Sequence, residues 1–305
     1  MNASYHSHGK LLLTGEYVVL DGALSLGLPV KYGQGLTVAT TTTPGIRWRS
    51  LDHEQQVWFE TTISTSEITN SSQNTAVNPT TRETLINILR EAQKLQPGFL
   101  QDNAGYEVTT QLEFPREWGL GSSSTLLNNI AQWAGINPYK LLWKAFGGSG
   151  YDIACAQGHG PLLYELKNTL PKVQPVAFDP PFKGQLHFVY LNKKQNSREG
   201  IANYRSKSFD QAPLVAAISK ITAAIILCAE LQEFEALLLK HEQLLAKTLE
   251  LPRIQEQLFP DFTGCIKSLG AWGGDFVLAT GGDATKSYFE KKGFPTVLSY
   301  TDMVL

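Results

Sequence analysis

The stretch from Tyr106 to Gly135 restricts the fold of this chain more than any other. Tyr106 to Phe114 alternates apolar and polar side chains, the period of a half-buried strand. Pro115-Arg116-Glu117-Trp118 follows, then Gly119-Leu120-Gly121-Ser122-Ser123-Ser124. Leu126, Leu127, Ile130, Ala131 and Ala134 next recur at helical spacing until Gly135 ends the pattern. The two glycines let backbone N–H groups approach a ligand with no Cβ in the way. The hydroxyl run would sit at a helix N-terminus, where unpaired N–H groups and the helix dipole attract anions. Serine hydroxyls there can also ligate the Mg²⁺ that accompanies a nucleotide. A plain Ser-capped helix after a glycine turn has the same signature, so both readings stand. No GxxxxGK[ST] occurs in the chain, which excludes a Walker A loop.

Other segments carry chemically useful groups. In Gly148-Ser149-Gly150-Tyr151-Asp152 a glycine-flanked turn places one carboxylate at the start of a small-residue helix. Asp152 is either a helix cap or a general base with access to a substrate hydroxyl. In His8-Gly9-Lys10-Leu11-Leu12-Leu13-Thr14-Gly15-Glu16-Tyr17 a lysine stands at the mouth of an apolar strand. It can bring positive charge to a phosphate or serve as an ordinary strand-edge lysine. Lys267-Ser268-Leu269-Gly270-Ala271-Trp272-Gly273-Gly274-Asp275 has glycines that permit tight approach of the chain to a ligand or another loop, and a tight turn between elements explains it equally well. The basic residues of Lys193-Lys194-Gln195-Asn196-Ser197-Arg198-Glu199 can meet an acidic or phosphorylated substrate, or belong to a solvated strand-to-helix turn. Cys155 and His159, close to Asp152, read as packing residues.

The rest of the chain sets the frame. Lys10 to Leu20, Gly35 to Thr43 and Arg47 to Ser64 read as strands. The latter part of Thr61 to Thr81 reads as an exposed loop, and Thr84 to Leu95 as a helix stopped by Pro97-Gly98. Pro138 opens a further helix, and Leu162 to Leu166 and His187 to Leu191 read as strands. Pro213 to about Leu251 gives two leucine-rich amphipathic helices, taken as core helices. Phe276 to Ala279, Ala284 to Lys291 and Thr296 to Tyr300 give a closing strand, helix and strand. Pro171, Pro175, Pro180 and Pro181 cluster as a linker would, so two α+β domains are expected, 1–170 and 171–305.

With 305 residues, 42% of them hydrophobic, the chain can bury a sizeable core. A net charge of -2 argues against a general nucleic-acid-binding surface, although not against a local anion site. Three scattered cysteines make neither a disulfide framework nor a Cys-rich zinc site, which points to a reducing cytoplasm. The N-terminus has no apolar core of a signal peptide, and the most apolar run, Ala223 to Ala229, is too short to span a bilayer. The Asn2-Ala3-Ser4 and Asn70-Ser71-Ser72 sequons are read as chance matches. A soluble cytoplasmic protein, without nucleic-acid or membrane partners, is the expectation; monomer and homodimer both stay open.

Taken in order, Gly-Lys-Leu…Gly-Glu-Tyr at 9–17, the Gly-Leu-Gly-Ser-Ser-Ser turn, Gly-Ser-Gly-Tyr-Asp at 148–152 and the late Gly-Gly-Asp resemble the GHMP kinase superfamily. That family includes galactokinase, homoserine kinase, mevalonate kinase and phosphomevalonate kinase. The resemblance implies a two-domain α+β fold, with an N-terminal domain like ribosomal protein S5 domain 2 and a ferredoxin-like C-terminal domain. It also implies ATP and Mg²⁺ as cofactors, bound between the domains. It assigns Gly119, Leu120, Gly121, Ser122, Ser123 and Ser124 to the ATP phosphates, with Ser123 facing the magnesium. Asp152 matches the catalytic aspartate and Lys10 the lysine beside it. Glu16, Ser149, Gly270, Gly273 and Gly274 fall on the substrate side.

Gly-Glu-Tyr, Gly-Ser-Gly-Tyr-Asp and the late Gly-Gly-Asp are more similar to phosphomevalonate kinase than to mevalonate kinase. The absence of an acid in Tyr139 to Phe146, where mevalonate kinases place a magnesium-binding glutamate, points the same way. The expected activity is therefore transfer of the γ-phosphoryl of ATP to a small acid of isoprenoid-precursor metabolism. Three features depart from the family pattern. His8 replaces a proline, Arg116-Glu117-Trp118 fills the approach to the glycine turn, and Trp272 replaces a glycine. A tryptophan there is expected to narrow the site or stack on a ligand. These departures motivate the competing reading of a ligand-binding protein without turnover; a related decarboxylase ranks below both.

Overall fold

The computed structural model describes residues 2–69, 79–100 and 105–305. The chain divides into two compact units, each made of separated segments. One comprises Met1–Gly9, Tyr32–Arg116 and Gly121–Gln157; the other comprises Lys10–Lys31, Glu117–Leu120 and Gly158–Leu305. Strands β1 (Asn2–Thr14) and β2 (Ser25–Thr41) contribute residues to both.

The first unit continues with β3 (Gly45–Leu51), β4 (Val57–Ile63), α1 (Thr65–Thr69), α2 (Thr81–Leu95), β5 (Gly105–Leu112), α3 (Ser122–Ala134), α4 (Pro138–Ala145) and α5 (Tyr151–Gln157). Its strands run in the order β4-β3-β5-β2, with β3 and β5 parallel and the other pairs antiparallel. Val38 and Trp48 both stand opposite Val108. Their side chains join Leu89 of α2, Ile130 of α3 and Leu141 of α4 in one buried cluster. Local chemistry explains where these helices start. Glu83 and Thr80 form a reciprocal capping box at α2. At α4, Asn137 Oδ1 accepts from the N–H groups of Tyr139 and Lys140, with Pro138 in the first turn. Gly135, at φ 66°, closes α3 in the left-handed conformation.

The second unit holds β6 (Leu162–Lys167), β7 (Leu170–Pro175), β8 (Leu186–Tyr190), α6 (Ser197–Ser206), α7 (Gln211–Ile225), α8 (Leu231–Leu249), α9 (Ile254–Leu258), β9 (Ile266–Leu269), β10 (Phe276–Thr280), α10 (Ala284–Lys291), β11 (Val297–Ser299) and α11 (Tyr300–Met303). An antiparallel sheet of order β11-β8-β10-β9 forms one part of it. The start of β2 pairs with β6, placing Leu26 opposite Leu163. Residues of α7 and α8, among them Ile218 and Leu245, pack with Tyr17, Tyr204 and Trp272. The two leucine-rich helices are core helices, as their pattern predicts.

Three local expectations change. The strand read over Lys10 to Leu20 ends at Thr14, and Val18–Asp21 is a 3-10 turn. Gly15 at φ 95° and Tyr17 at φ 63° turn the chain out of the extended conformation, which no strand of Val and Leu alone reveals. Strand β2 starts at Ser25, ahead of the expected Gly35. The proline-rich stretch is not a bare linker, because Pro171 and Pro175 lie in β7, paired with Leu166 and Leu162 of β6. The prolines are four residues apart, so both fall on the same side of β7, and a strand on the sheet's edge tolerates them there. The exposed loop expected in the latter part of 61–81 falls largely on residues 70–78, outside the described residues, as does the Asn70 sequon.

Candidate active site

The glycine–serine turn leads into α3 as expected, but the serines are not its cap. Gly121, at φ 90°, occupies the N-cap, and Ser122, Ser123 and Ser124 form the first turn of the helix. The N–H groups of Ser124 and Thr125 both bond to Gly121 O at 3.0 Å. Those of Ser122 and Ser123 precede the helical ladder and are its open donors. Ser123 is exposed, Ser122 half-buried and Ser124 buried. The Ser124 hydroxyl donates to Asp152 Oδ2.

Asp152 lies in the first turn of α5, half-buried, rather than at a cap position. Gly148 at φ 97° and Gly150 at φ 90° shape the turn before it, and Ser149 between them is buried. Side-chain hydrogen bonds tie α5 to α3, and α3 to Ser7 of β1. Gln157 Nε2 donates to Asn128 Oδ1 at 3.1 Å, Asn128 Nδ2 donates to Ser7 Oγ at 2.8 Å, and Ser7 Oγ donates to Asn129 Oδ1 at 2.6 Å. Burial, reinforced by the charges of Cys155 and Asp152, pushes the nearby Tyr139 hydroxyl up to about 12. Tyr139 therefore remains protonated at neutral pH. Cys155 is fully buried, as a packing residue should be, whereas His159 is exposed.

The remaining candidates belong to the second unit. The Lys10 N–H donates to Leu120 O at 3.0 Å, joining the end of β1 to the residue before Gly121. Gly119, at φ 66°, faces the carboxylate of Asp275, and a Cβ on it would lie 2.3 Å from Asp275 Oδ2. Gly270 and Gly273 also have positive φ, and a Cβ on Gly274 would lie 2.1 Å from Gln195 Cγ. Gly274 thus admits a neighbouring side chain at close range. Trp118 lies edge-on to Phe276 at 5.5 Å, and Arg116 in the first unit stacks 3.7 Å above the Trp58 ring.

Two further positions, Trp272 and Glu16, are buried. Trp272 is 8% exposed, and its ring packs with Tyr17, Tyr204 and Leu249 while Nε1 donates to Pro252 O at 3.1 Å. It fills the core, where burial of the indole outweighs any role as an open stacking surface. Glu16 is 3% exposed, with Oε1 2.5 Å from Lys267 Nζ and Oε2 3.4 Å from His241 Nε2.

The sequence pattern gives no role to His241 or Glu242, and Lys267 and Asp275 enter it only as the ends of the late glycine segment. A signal existed for His241 and Glu242, since they continue the buried stripe of Phe234, Leu238, Leu245 and Leu249 along α8. Charged residues on an apolar stripe need buried partners. Lys267 lies 3.7 Å from Glu242 and supplies one.

No protein-family model matches the sequence, and no curated protein matches it. Solved structures do match. The mevalonate kinase of Methanococcus jannaschii superposes with a TM-score of 0.72 at 16% identity, over 98% of this chain and 97% of that one. Phosphomevalonate kinase of Streptococcus pneumoniae, in complex with phosphomevalonate and AMPPNP, gives 0.72 at 15% identity over 97% and 99%. The fold is that of the GHMP kinases. Galactokinase of Lactococcus lactis, complexed with galactose, shares it with a TM-score of 0.70 at 15% identity over 98% and 92% of the two chains. Fold neighbours therefore act on quite different acceptors. Among the described residues no helix is long and apolar enough to cross a membrane.

Proposed function

We propose that this chain is an ATP-dependent small-molecule kinase whose acceptor is a hydroxyl or phosphate of a small acid, phosphomevalonate or mevalonate first. One observation carries the reading: the hydroxyl of Ser124, in the first turn of a glycine-preceded helix, is hydrogen-bonded to the carboxylate of Asp152. A helix N-terminus suited to phosphate thereby has an acid–base group attached to it.

The residues present fit a nucleotide. The N–H groups of Ser122 and Ser123 and the exposed Ser123 hydroxyl offer donors for phosphate oxygens. Among the described residues no group of three or more His, Cys, Asp and Glu gathers as a metal cage. Ser123 would contribute one oxygen to Mg²⁺, whose remaining ligands come from phosphates and water, as is usual for this ion. When bound, the ion neutralises charge on the transferring phosphoryl group.

Asp152 accepts or orients the proton of the acceptor oxygen, and Ser124 keeps its carboxylate in one orientation. In-line attack on the γ-phosphoryl depends mainly on positioning and charge neutralisation. Lys10, assigned on the resemblance alone, supplies positive charge to the developing anion. Glu16, with its ion pair to Lys267, anchors the backbone at the end of β1 and is not assigned a direct substrate contact. Isoprenoid-precursor metabolism is the setting that the preferred acceptors imply.

The test is an ADP-release assay with mevalonate, phosphomevalonate, homoserine and galactose, together with ATP titration by calorimetry. Turnover of one acceptor supports the proposal. Absence of both turnover and ATP binding overturns it.

A further inference from the structure

Within the second unit, several segments meet at one carboxylate. Asp275 is 6% exposed and held in the left-handed conformation at φ 54°. Its backbone is locked to the β8 exit: Asp275 N donates to Lys193 O at 2.8 Å, and Leu191 N donates to Asp275 O at 2.9 Å. Its side chain receives the Gln195 N–H on Oδ1 at 3.1 Å. The Gln195 side chain in turn donates to Trp272 O at 3.3 Å, closing the late glycine turn on the Lys193–Gln195 segment. The carboxylate then faces Gly119, where even a methyl group would overlap it: a Cβ would stand 2.3 Å from both Cγ and Oδ2. Gly119 is followed by Leu120, whose carbonyl accepts the Lys10 N–H and whose side chain is fully buried.

We propose that Asp275 is a positioning residue for nucleotide binding, seating the Gly119–Leu120 backbone and, through it, the Lys10 segment. This proposal rests on the kinase reading above. The glycine at 119 is then explained by a particular neighbour as well as by its positive φ: the site keeps a carboxylate where a Cβ would be. Charge adds to shape. Burial raises the Asp275 pKa, and the ammonium groups of Lys10 first and Lys194 second oppose that rise. The Lys10 ammonium and the Gln195 N–H on Oδ1 both favour the carboxylate form of Asp275. The sequence contains this residue in plain view, but only the packing reveals that it abuts the start of the phosphate-binding turn.

The experiment compares wild type with Asp275→Asn, Asp275→Ala, Gly119→Ala and the Gly119→Ala/Asp275→Ala double variant. Each is followed by melting temperature, by calorimetric affinity for a non-hydrolysable ATP analogue, and by kcat and KM for ATP with the acceptor that wild type uses. Asp275→Asn keeps the volume and the acceptor for Gln195, so its melting temperature should hold while kcat/KM for ATP falls on the order of tenfold. Gly119→Ala should weaken analogue binding far more when Asp275 is present than in the Asp275→Ala background, because the clash is then removed. Additive effects of the two alanine substitutions, or an Asp275→Asn enzyme with unchanged kcat/KM, overturn the proposal while leaving the kinase reading intact. A wild type that neither binds the analogue nor turns over any acceptor overturns both, and Asp275 is then a structural residue alone.

Discussion

Glu16 Oε1 lies 2.5 Å from Lys267 Nζ, a contact between residues 251 positions apart in the chain and both almost wholly buried. Glu242 approaches the same ammonium at 3.7 Å, and Ser268 Oγ donates to its other oxygen at 3.2 Å. Burial and the charge of Lys267 hold His241 well below the usual imidazole range, so it stays neutral and accepts the Gly15 N–H. Two buried carboxylates therefore share one ammonium. Desolvation outweighs Lys267 and pushes Glu16 up to about 7.

A pH signature in stability follows from that imbalance. Glu16 titrates near 4.5 when unfolded and about 7 when folded, so the folded chain binds an extra proton between those values. Its contribution is fully present below pH 4.5 and is lost as the pH rises through 7. Glu16→Gln should flatten the fall of melting temperature across this window, with Glu242 supplying the residual slope. Equal slopes for variant and wild type in calorimetric scans would contradict the assignment.

Removing the shared cation should be far worse than removing one anion. Lys267→Met leaves two carboxylates buried without their partner and should cost about 3–5 kcal/mol in urea unfolding. Adding Glu16→Gln to Lys267→Met should recover part of this loss, because one of the stranded charges is gone. If the double variant is no more stable than Lys267→Met, Glu16 is not energetically coupled to Lys267.

Asp152→Asn should separate chemistry from binding. The amide cannot take a proton from the acceptor, so turnover should fall by a factor on the order of 10²–10⁴. Calorimetric affinity for ATP should change little, since the open N–H groups of α3 remain. Ser124→Ala should give a smaller loss in the same direction, by releasing the orientation of the carboxylate. Wild-type turnover in Asp152→Asn would remove it from the mechanism.

Trp272 is a test of packing against ligand contact. Its indole is buried with Tyr17 and Tyr204, so Trp272→Ala should cost about 3–5 kcal/mol of stability. Trp272→Phe should lose less, on the order of 1 kcal/mol for the hydrogen bond to Pro252 O, plus a small packing defect. A Trp272→Ala protein of wild-type stability with altered acceptor affinity would instead support the ligand-stacking role.

Much of the secondary structure was legible because its causes lie within a few residues of each other. The Thr80–Glu83 capping box, the Asn137-Pro138 start and the Gly135 stop mark helices without reference to the rest of the chain. Alternation over Tyr106 to Phe114 marked β5 for the same reason. The strand read over Lys10 to Leu20 misled because its break depends on left-handed Gly15 and Tyr17, and Tyr17 is held by the Trp272 N–H at 2.7 Å from far along the chain.

By itself, then, the sequence determined the order of the motifs, the residue types at the glycine–serine turn and most element positions, since short-range periodicity and capping encode these. Only the tertiary structure decided that Ser124 meets Asp152, that Gly119 accommodates Asp275, that Glu16 is tied to Lys267 and that Trp272 belongs to the core. Each of these depends on which distant side chains exclude water together. Burial and close packing settle that question, and no local pattern records it.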